Sequence, residues 1–301
     1  MSGAGRGLLV VGDVVTDVVA RHTEPLAADT DTAARIAVLP GGAGANVACW
    51  AARQGAPGGV RLLARAGADS AAWHRTALAA AGVEAVLRVD QEQPTAVVIA
   101  LVDAAAERTL VTDSGAAFRL GPADWDDALL DGVGHVHLSG YLFFCDPGRE
   151  LAAVVGGAAR ARGLPVSVDP ASAGFLRGLG VPRFLSLVSG TDLLLPNAAE
   201  AALLSGADEP AAAAAELSRR GGTVVVTLGA GGALAAYGGR VTARTTAVAA
   251  TAVDSTGAGD AFTGGLLAAR LAGAGLADAL AAGCRAGAAA VAVVGGRPEL
   301  P

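Results

Sequence analysis

The sequence predicts a three-layer α/β/α sandwich with a mostly parallel central sheet and a small β-sheet lid. Three observations carry this. Short apolar runs rich in leucine or β-branched residues alternate with alanine-rich helical stretches, and continuous apolar strands suit a parallel sheet covered on both faces. Two segments, at about 13–38 and 90–114, break that rhythm with strand-like patterns and no helix between them. The chain of 301 residues is long enough to bury a large core.

Residues 8–11 open the central sheet, followed by 62–64, 136–138, 166–168, 193–195 and 224–227. In the second interrupting segment, residues 95–102, a turn at 104–107 and residues 108–112 read as a β-hairpin. With 13–38 it forms the accessory sheet. Residues 211–215 are all alanine but read as a plain helix, with Asp208 as its cap, Pro210 in its first turn and Gly221 at its end. The stretch 221–239 lacks charged residues, yet it holds seven glycines and two threonines. That is a strand–turn–strand pattern and not a membrane span. From Thr256 onward the pattern is helical, at about 259–273 and 276–294. No repeat or linker divides the chain, so 1–301 reads as a single domain carrying its lid.

The chain carries 22 basic and 28 acidic side chains, a net charge of −6, and all 22 basic residues are arginine. Without lysine it forms no side-chain Schiff base and fills no G-x-x-x-x-G-K-[ST] phosphate loop. An acidic chain with no basic block is a poor candidate for general nucleic-acid or anionic-membrane binding and points to small molecules. Cys49, Cys145 and Cys284 lie far apart with no metal-ligand spacing and read as reduced, buried thiols of a cytoplasmic protein. The apolar run at 8–11 is too brief for a secretory signal. His135 and His137 read as pointing to opposite faces of a strand, poor joint metal ligands. Trp50, Trp73 and Trp125 read as packing groups.

The strongest motif is D-S-T-G-A-G-D-A-F-T-G-G at 254–265, a glycine-rich turn leading into a helix. Glycines let successive N–H groups converge, and the helix amino end adds partial positive charge, so the segment can bind phosphate without lysine. Asp260 beside that pocket is either a common helix-start carboxylate or the acceptor of a hydroxyl proton during phosphoryl transfer. The second motif is P-G-G-A-G-A-N at 40–46. It leads into another helix, and Asn46 there supplies a donor and an acceptor for a polyol.

These two motifs resemble the amino- and carboxyl-terminal signatures of the ribokinase-like (PfkB) family of sugar and nucleoside kinases. Between them, L-L-L-P-N-A-A-E-A resembles the family's Asn-x-x-Glu motif at Asn197 and Glu200. V-V-V-T-L-G resembles its nucleotide segment at Thr227 and Gly229. The resemblance spans nearly the whole chain.

It implies an ATP-dependent phosphotransferase acting on a primary hydroxyl of a sugar. Asp260 is implied as the base, with the amides of Gly257, Ala258 and Gly259 stabilising the transferring phosphoryl group. An ordinary aspartate is already ionised at neutral pH, so Asp260 is expected to need no tuning. Asp17, Gly42 and Asn46, with Asp13, are implied on the substrate side; Asp13 has a second reading as a turn cap. Thr227, Gly229 and Thr256 join Asn197 and Glu200 on the nucleotide side. Asn197 and Glu200 are implied to position Mg²⁺ through water, and the same pair reads as a helix capping box. Asp254 is the candidate for a monovalent cation, K⁺, and lid-to-lid pairing is expected to give a homodimer.

Some positions depart from the family pattern. Ala43 stands where ribokinases carry lysine, Val15 where they carry asparagine, and H-L-S-G-Y-L replaces a glutamate-bearing segment. V-D-P-A-S-A-G-F lacks the D-P-N-x-R string of many fructokinases. These departures weaken ribose- and hexose-specific readings. A nucleoside kinase is the rival, a non-catalytic ligand-binding relative is a third reading, and ADP as donor stays open.

Overall fold

The computed structural model describes residues 6–104 and 108–298. In chain order it runs Gly7–Val11 (β1), Val15–His22 (β2), Ala34–Gly41 (β3), Ala43–Arg53 (α1), Val60–Gly67 (β4), Ala71–Ala80 (α2) and Val83–Asp90 (β5). Next come Ala96–Val102 (β6), Arg108–Asp113 (β7), Val133–Ser139 (β8), Asp146–Ala161 (α3), Val166–Asp169 (β9), Ala173–Leu179 (α4) and Val181–Leu187 (α5). The remainder is Leu193–Leu194 (β10), Ala198–Ser205 (α6), Pro210–Ser218 (α7), Thr223–Thr227 (β11), Ala233–Tyr237 (β12), Arg240–Thr245 (β13), Ala258–Leu271 (α8) and Leu276–Val291 (α9).

Nine strands form the central sheet in the order β13-β12-β11-β10-β9-β8-β1-β4-β5. All pairs from β11 to β5 are parallel, and only β12 and β13 run antiparallel. Alternation along each strand sends its side chains to two separate cores. Leu9, Val11, Val136, Val168 and Val226 pack with residues of α3 to α7. Leu8, Val10, Leu62 and Val225 pack with residues of α1, α2, α8 and α9. The expected three layers are present.

A four-stranded sheet in the order β3-β2-β6-β7 stands apart. It is built from the two segments that broke the helical rhythm, and β6 pairs antiparallel with β7 as the predicted hairpin. Residues 105–107 of its expected turn lie outside the described residues. Odd positions of β2 and even positions of β6 face the cavity described below. The other face exposes Ile36, Val38, Ile99 and Val111.

Three local readings need correction. The cap of α7 is Glu209, whose Oε2 accepts from the Ala212 N–H at 2.7 Å, not Asp208. His135 and His137 share a face, because residues two apart on a strand point the same way. Both rings bond the Ser167 hydroxyl, at 2.8 and 2.9 Å. The edge strands β5 and β13 escaped prediction, since each alternates apolar with charged residues and lacks the continuous apolar run of a central strand.

Cys49 and Cys284 are buried, Cys145 is half-buried, and all three are free thiols. Trp50 lies in the interior, and its ring N–H donates to the Gly296 carbonyl at 2.9 Å. Among the described residues no helix is long and apolar enough to cross a membrane.

Candidate active site

The carboxyl ends of β1, β9 and β11 meet the amino ends of α1, α6 and α8 around one cavity of about 300 Å³. Open α/β sheets bind ligands at this end of their strands. The small sheet supplies a further wall through Val15, Asp17, Val98 and Thr112.

Asp13 follows β1 and caps α1. Its two oxygens accept from the Ala43 and Gly44 amides at 2.9 and 3.1 Å, and the Ser139 hydroxyl adds a third bond at 3.1 Å. First-turn amides have no partner inside their helix, so the carboxylate satisfies them. Asp13 is thus a cap, though of the distant helix α1 and not of its own turn as expected, and the side chain also lines the cavity. Gly42, with φ of 100°, must be glycine, since a Cβ there would lie 2.6 Å from the Asp13 carbonyl oxygen.

At the opposite side Gly257 caps α8 in the left-handed conformation, φ 72°. A Cβ on it would meet the Gly296 Cα at 2.5 Å. Thr256, Gly257 and Gly259 line the cavity. The Ala258 amide is directed to the Ser255 carbonyl, at a long 3.4 Å. Asp260, in the first turn of α8, accepts from the Asn46 side-chain amide at 2.8 Å. Burial pushes its carboxyl up to about 7; the Asn46 bond opposes this, and the charges of Asp13, Asp17 and Glu200 add to it. The expectation of an untuned aspartate is thus corrected. A pKa near the working pH is what general-base catalysis favours.

Asp17, on β2, is also pushed up to about 7, chiefly by burial, with Arg297 opposing and Asp13 and Asp254 adding. Arg297 donates to the Gly41 carbonyl at 2.9 Å, just where β3 enters α1. No motif drew attention to Arg297. Its segment is stitched in by the Trp50 bond to Gly296 and by the Gly295 amide, which donates to Asp254 at 3.0 Å.

Asn197 and Glu200 form the capping box of α6, with reciprocal bonds of 2.9 and 3.0 Å. Both line the cavity, as does Thr227; Gly229 sits in the turn after β11 and outside the lining. Asp169, at the end of β9, joins them; its segment V-D-P-A-S-A-G-F is noted only for departing from the family pattern, and the residue itself is given no role. Burial, followed by the charges of Glu200 and Asp260, raises its carboxyl well above the usual range. Burial likewise raises Glu200, against its bonds to Asn197. The usable sequence signal was position, an acidic residue ending an apolar parallel strand.

Among the described residues no cluster of three His, Cys, Asp or Glu is arranged to hold a metal. The paired carboxylates of Asp169 and Glu200 still fit Mg²⁺, which takes few protein oxygens and keeps water or phosphate oxygens for the rest. Asp254 lies beside a neighbouring groove with Arg21, and one of its oxygens accepts from both the amide and the hydroxyl of Thr256, at 2.9 and 2.7 Å.

Asp260 thus stands at the amino end of α8, at the mouth of the mostly parallel sheet of a ribokinase-like fold. The chain belongs to the pfkB family of carbohydrate kinases, whose model matches residues 6–301. It is 32% identical over 285 residues to a fructokinase from Klebsiella pneumoniae, covering 91% of this chain and 87% of the relative. Its fold is similar to that of adenosine kinase from Sinorhizobium meliloti, with a TM-score of 0.87 at 23% identity over 98% and 96% of the two chains. It also matches a ribokinase II from E. coli in complex with ATP and Mg²⁺, with a TM-score of 0.84 at 24% identity over 97% and 94% of the two chains.

Proposed function

We propose that the protein transfers the γ-phosphoryl group of ATP to a primary hydroxyl of a sugar. The observation that carries this reading is Asp260, held by Asn46 at 2.8 Å in the first turn of α8, one residue beyond the glycine-built anion site. The acceptor oxygen forms a bond to γ-phosphorus as the bond from phosphorus to the β-phosphate oxygen breaks, and the hydroxyl proton passes to Asp260. The amides of Gly257, Ala258 and Gly259 face the charge on the transferring group, Ala258 by releasing its long bond to Ser255. Asp17, Asp13, Gly42 and Asn46 orient the acceptor. Thr227, Gly229 and Thr256 border the nucleotide.

Bound Mg²⁺ would neutralise phosphate charge. Asp169, Glu200 and, through its place in the capping box, Asn197 would hold it by way of water. The small sheet serves as a lid of the same unit and excludes water when it closes. Its outward face, with Ile36, Val38, Ile99 and Val111, is apolar enough to pair two copies into a homodimer. K⁺ enters this reading only near Asp254, and comparing potassium with tetramethylammonium salts tests it.

The decisive experiment is detection of nucleoside diphosphate and phosphorylated acceptor across a panel of sugars, with ATP and ADP compared as donors. Transfer from ATP supports the reading. Binding of acceptor without any transfer from either donor would replace it with a non-catalytic role.

A further inference from the structure

Residues 295–297 run back through the site as a strap. Gly295 lines the cavity, and its amide donates to Asp254 at 3.0 Å. The Gly296 carbonyl accepts from the Trp50 ring at 2.9 Å, and a Cβ on Gly296 would collide with the side-chain amide of Asn46, the group that holds Asp260. Arg297 then donates from Nη2 to the Gly41 carbonyl at 2.9 Å. Three successive residues thus tie together the end of β3, the helix α1 and the loop before α8.

Arg297 has bonding capacity to spare. Its Nε and Nη1 are buried and meet no hydrogen-bond partner among the described residues. Buried donors without partners destabilise a fold, so packing alone does not account for an arginine here. Its charge has a neighbour to act on. The Asp17 carboxylate packs against Gly41, since a Cβ on Gly41 would collide with it, and Gly41 is the residue that Arg297 bonds. Arg297 opposes burial and the charges of Asp13 and Asp254 at the Asp17 carboxyl. Two other titratable groups feel the guanidinium, Cys49 of α1 and His74 of α2, and burial keeps both neutral: it raises the thiol and pushes the ring down to about 4. Asp17 is therefore the anion on the cavity wall that this cation serves.

We propose that Arg297 is a positioning residue for the acceptor, which from the strap at 295–297 holds Asp17 as a carboxylate aimed at the acceptor's hydroxyls. Arg297 lies outside the cavity lining, so its effect reaches the acceptor through Asp17. An ionised carboxylate is an acceptor at both oxygens, whereas the protonated group gives part of that capacity up. The proposal rests on the kinase reading above for what Asp17 binds.

The test follows the Asp17 carboxyl carbon by NMR against pH in the intact, ligand-free protein, with Asp17→Asn assigning the signal. Arg297→Gln should raise the midpoint by about one pH unit, and Arg297→Lys, which keeps the charge, should leave it near wild type. A carboxyl moved from about 7 to about 8 is roughly one-tenth ionised at pH 7 instead of one-half. Calorimetric affinity and KM for D-fructose should therefore weaken about fivefold at pH 7 and less than twofold at pH 9, with KM for ATP and kcat within twofold of wild type. In an Asp17→Asn background Arg297→Gln should change acceptor KM less than twofold. Should Arg297→Gln fail to fold, Arg297→Met, an apolar replacement of similar reach, takes the same measurements. An unmoved midpoint overturns the proposal. So does an acceptor loss that is equal at both pH values or undiminished in the Asp17→Asn background, which would mark the strap as merely structural. The NMR arm needs neither donor nor acceptor. A shifted midpoint with no ADP formed from any sugar removes the kinase reading and leaves the Arg297–Asp17 coupling in place, while transfer from ATP with an unmoved midpoint does the reverse.

Discussion

The two ends of the cavity are assembled differently. Around the amino end of α8, the proposed anion site comes from the consecutive residues 256–260 and would work through backbone amides. The proposed acceptor end collects Asp13, Asp17 and Asn46 from separate stretches of chain and would work through side chains. A backbone-built site tolerates few substitutions, because φ and close approach dictate glycine. A side-chain-built site can exchange its residues one by one while the scaffold stays. The comparison separates what all acceptors should feel from what only one class should.

Gly257→Ala tests the backbone end. The added methyl meets Gly296, and φ of 72° becomes strained, so kcat should fall about 100- to 1,000-fold, the range for losing an aligned anion donor, equally for every acceptor. Steady-state kinetics on two unrelated acceptors decides this. A loss confined to one acceptor would break the distinction.

Asp17→Asn tests the side-chain end. KM for the acceptor should rise about tenfold while KM for ATP stays put. The same variant should melt higher at pH 8 but not at pH 4. The sign follows from the raised pKa, since a carboxyl at about 7 in the folded state, against 3.8 unfolded, contributes stability below 3.8 that is lost as pH rises through 7. Asparagine removes that loss, and each kcal/mol regained corresponds to roughly 2–4 °C in Tm.

Asn46→Ala probes the junction of the two ends. Its amide stabilises the ionised form of Asp260, so removal should move the acid limb of kcat/KM to higher pH and cost more at pH 6 than at pH 9. An unmoved limb would mean that the Asn46 contact does not tune the base.

The same contrast explains what was legible in the sequence. The central strands, the small sheet, both glycine motifs and the Asn197–Glu200 capping box follow from local pattern, because each is fixed by neighbours in the chain. Arg297 was silent, and Asp169 enters only as part of V-D-P-A-S-A-G-F, a segment read for its departure from the family pattern and given no role of its own. Their roles depend on which strand ends and loops the topology brings together, and single residues carry no period. The tuning of Asp260 was misread for the same reason, since its burial and the charges of Asp13, Asp17 and Glu200 come from across the cavity. Val15, Ala43 and Tyr141, which fall at or within the segments departing from the family pattern, all line the cavity. Sequence thus indicated where specificity is written without giving its content.

The proposed role of Asp260 is to take the acceptor proton beside the amino end of α8. The direct measurement is ADP and phosphorylated acceptor formed by wild type and by Asp260→Asn, together with acceptor affinity of both proteins. Asp260→Asn should lose about 1,000-fold in kcat with acceptor affinity within a few fold of wild type. A variant that retains kcat within tenfold would contradict it.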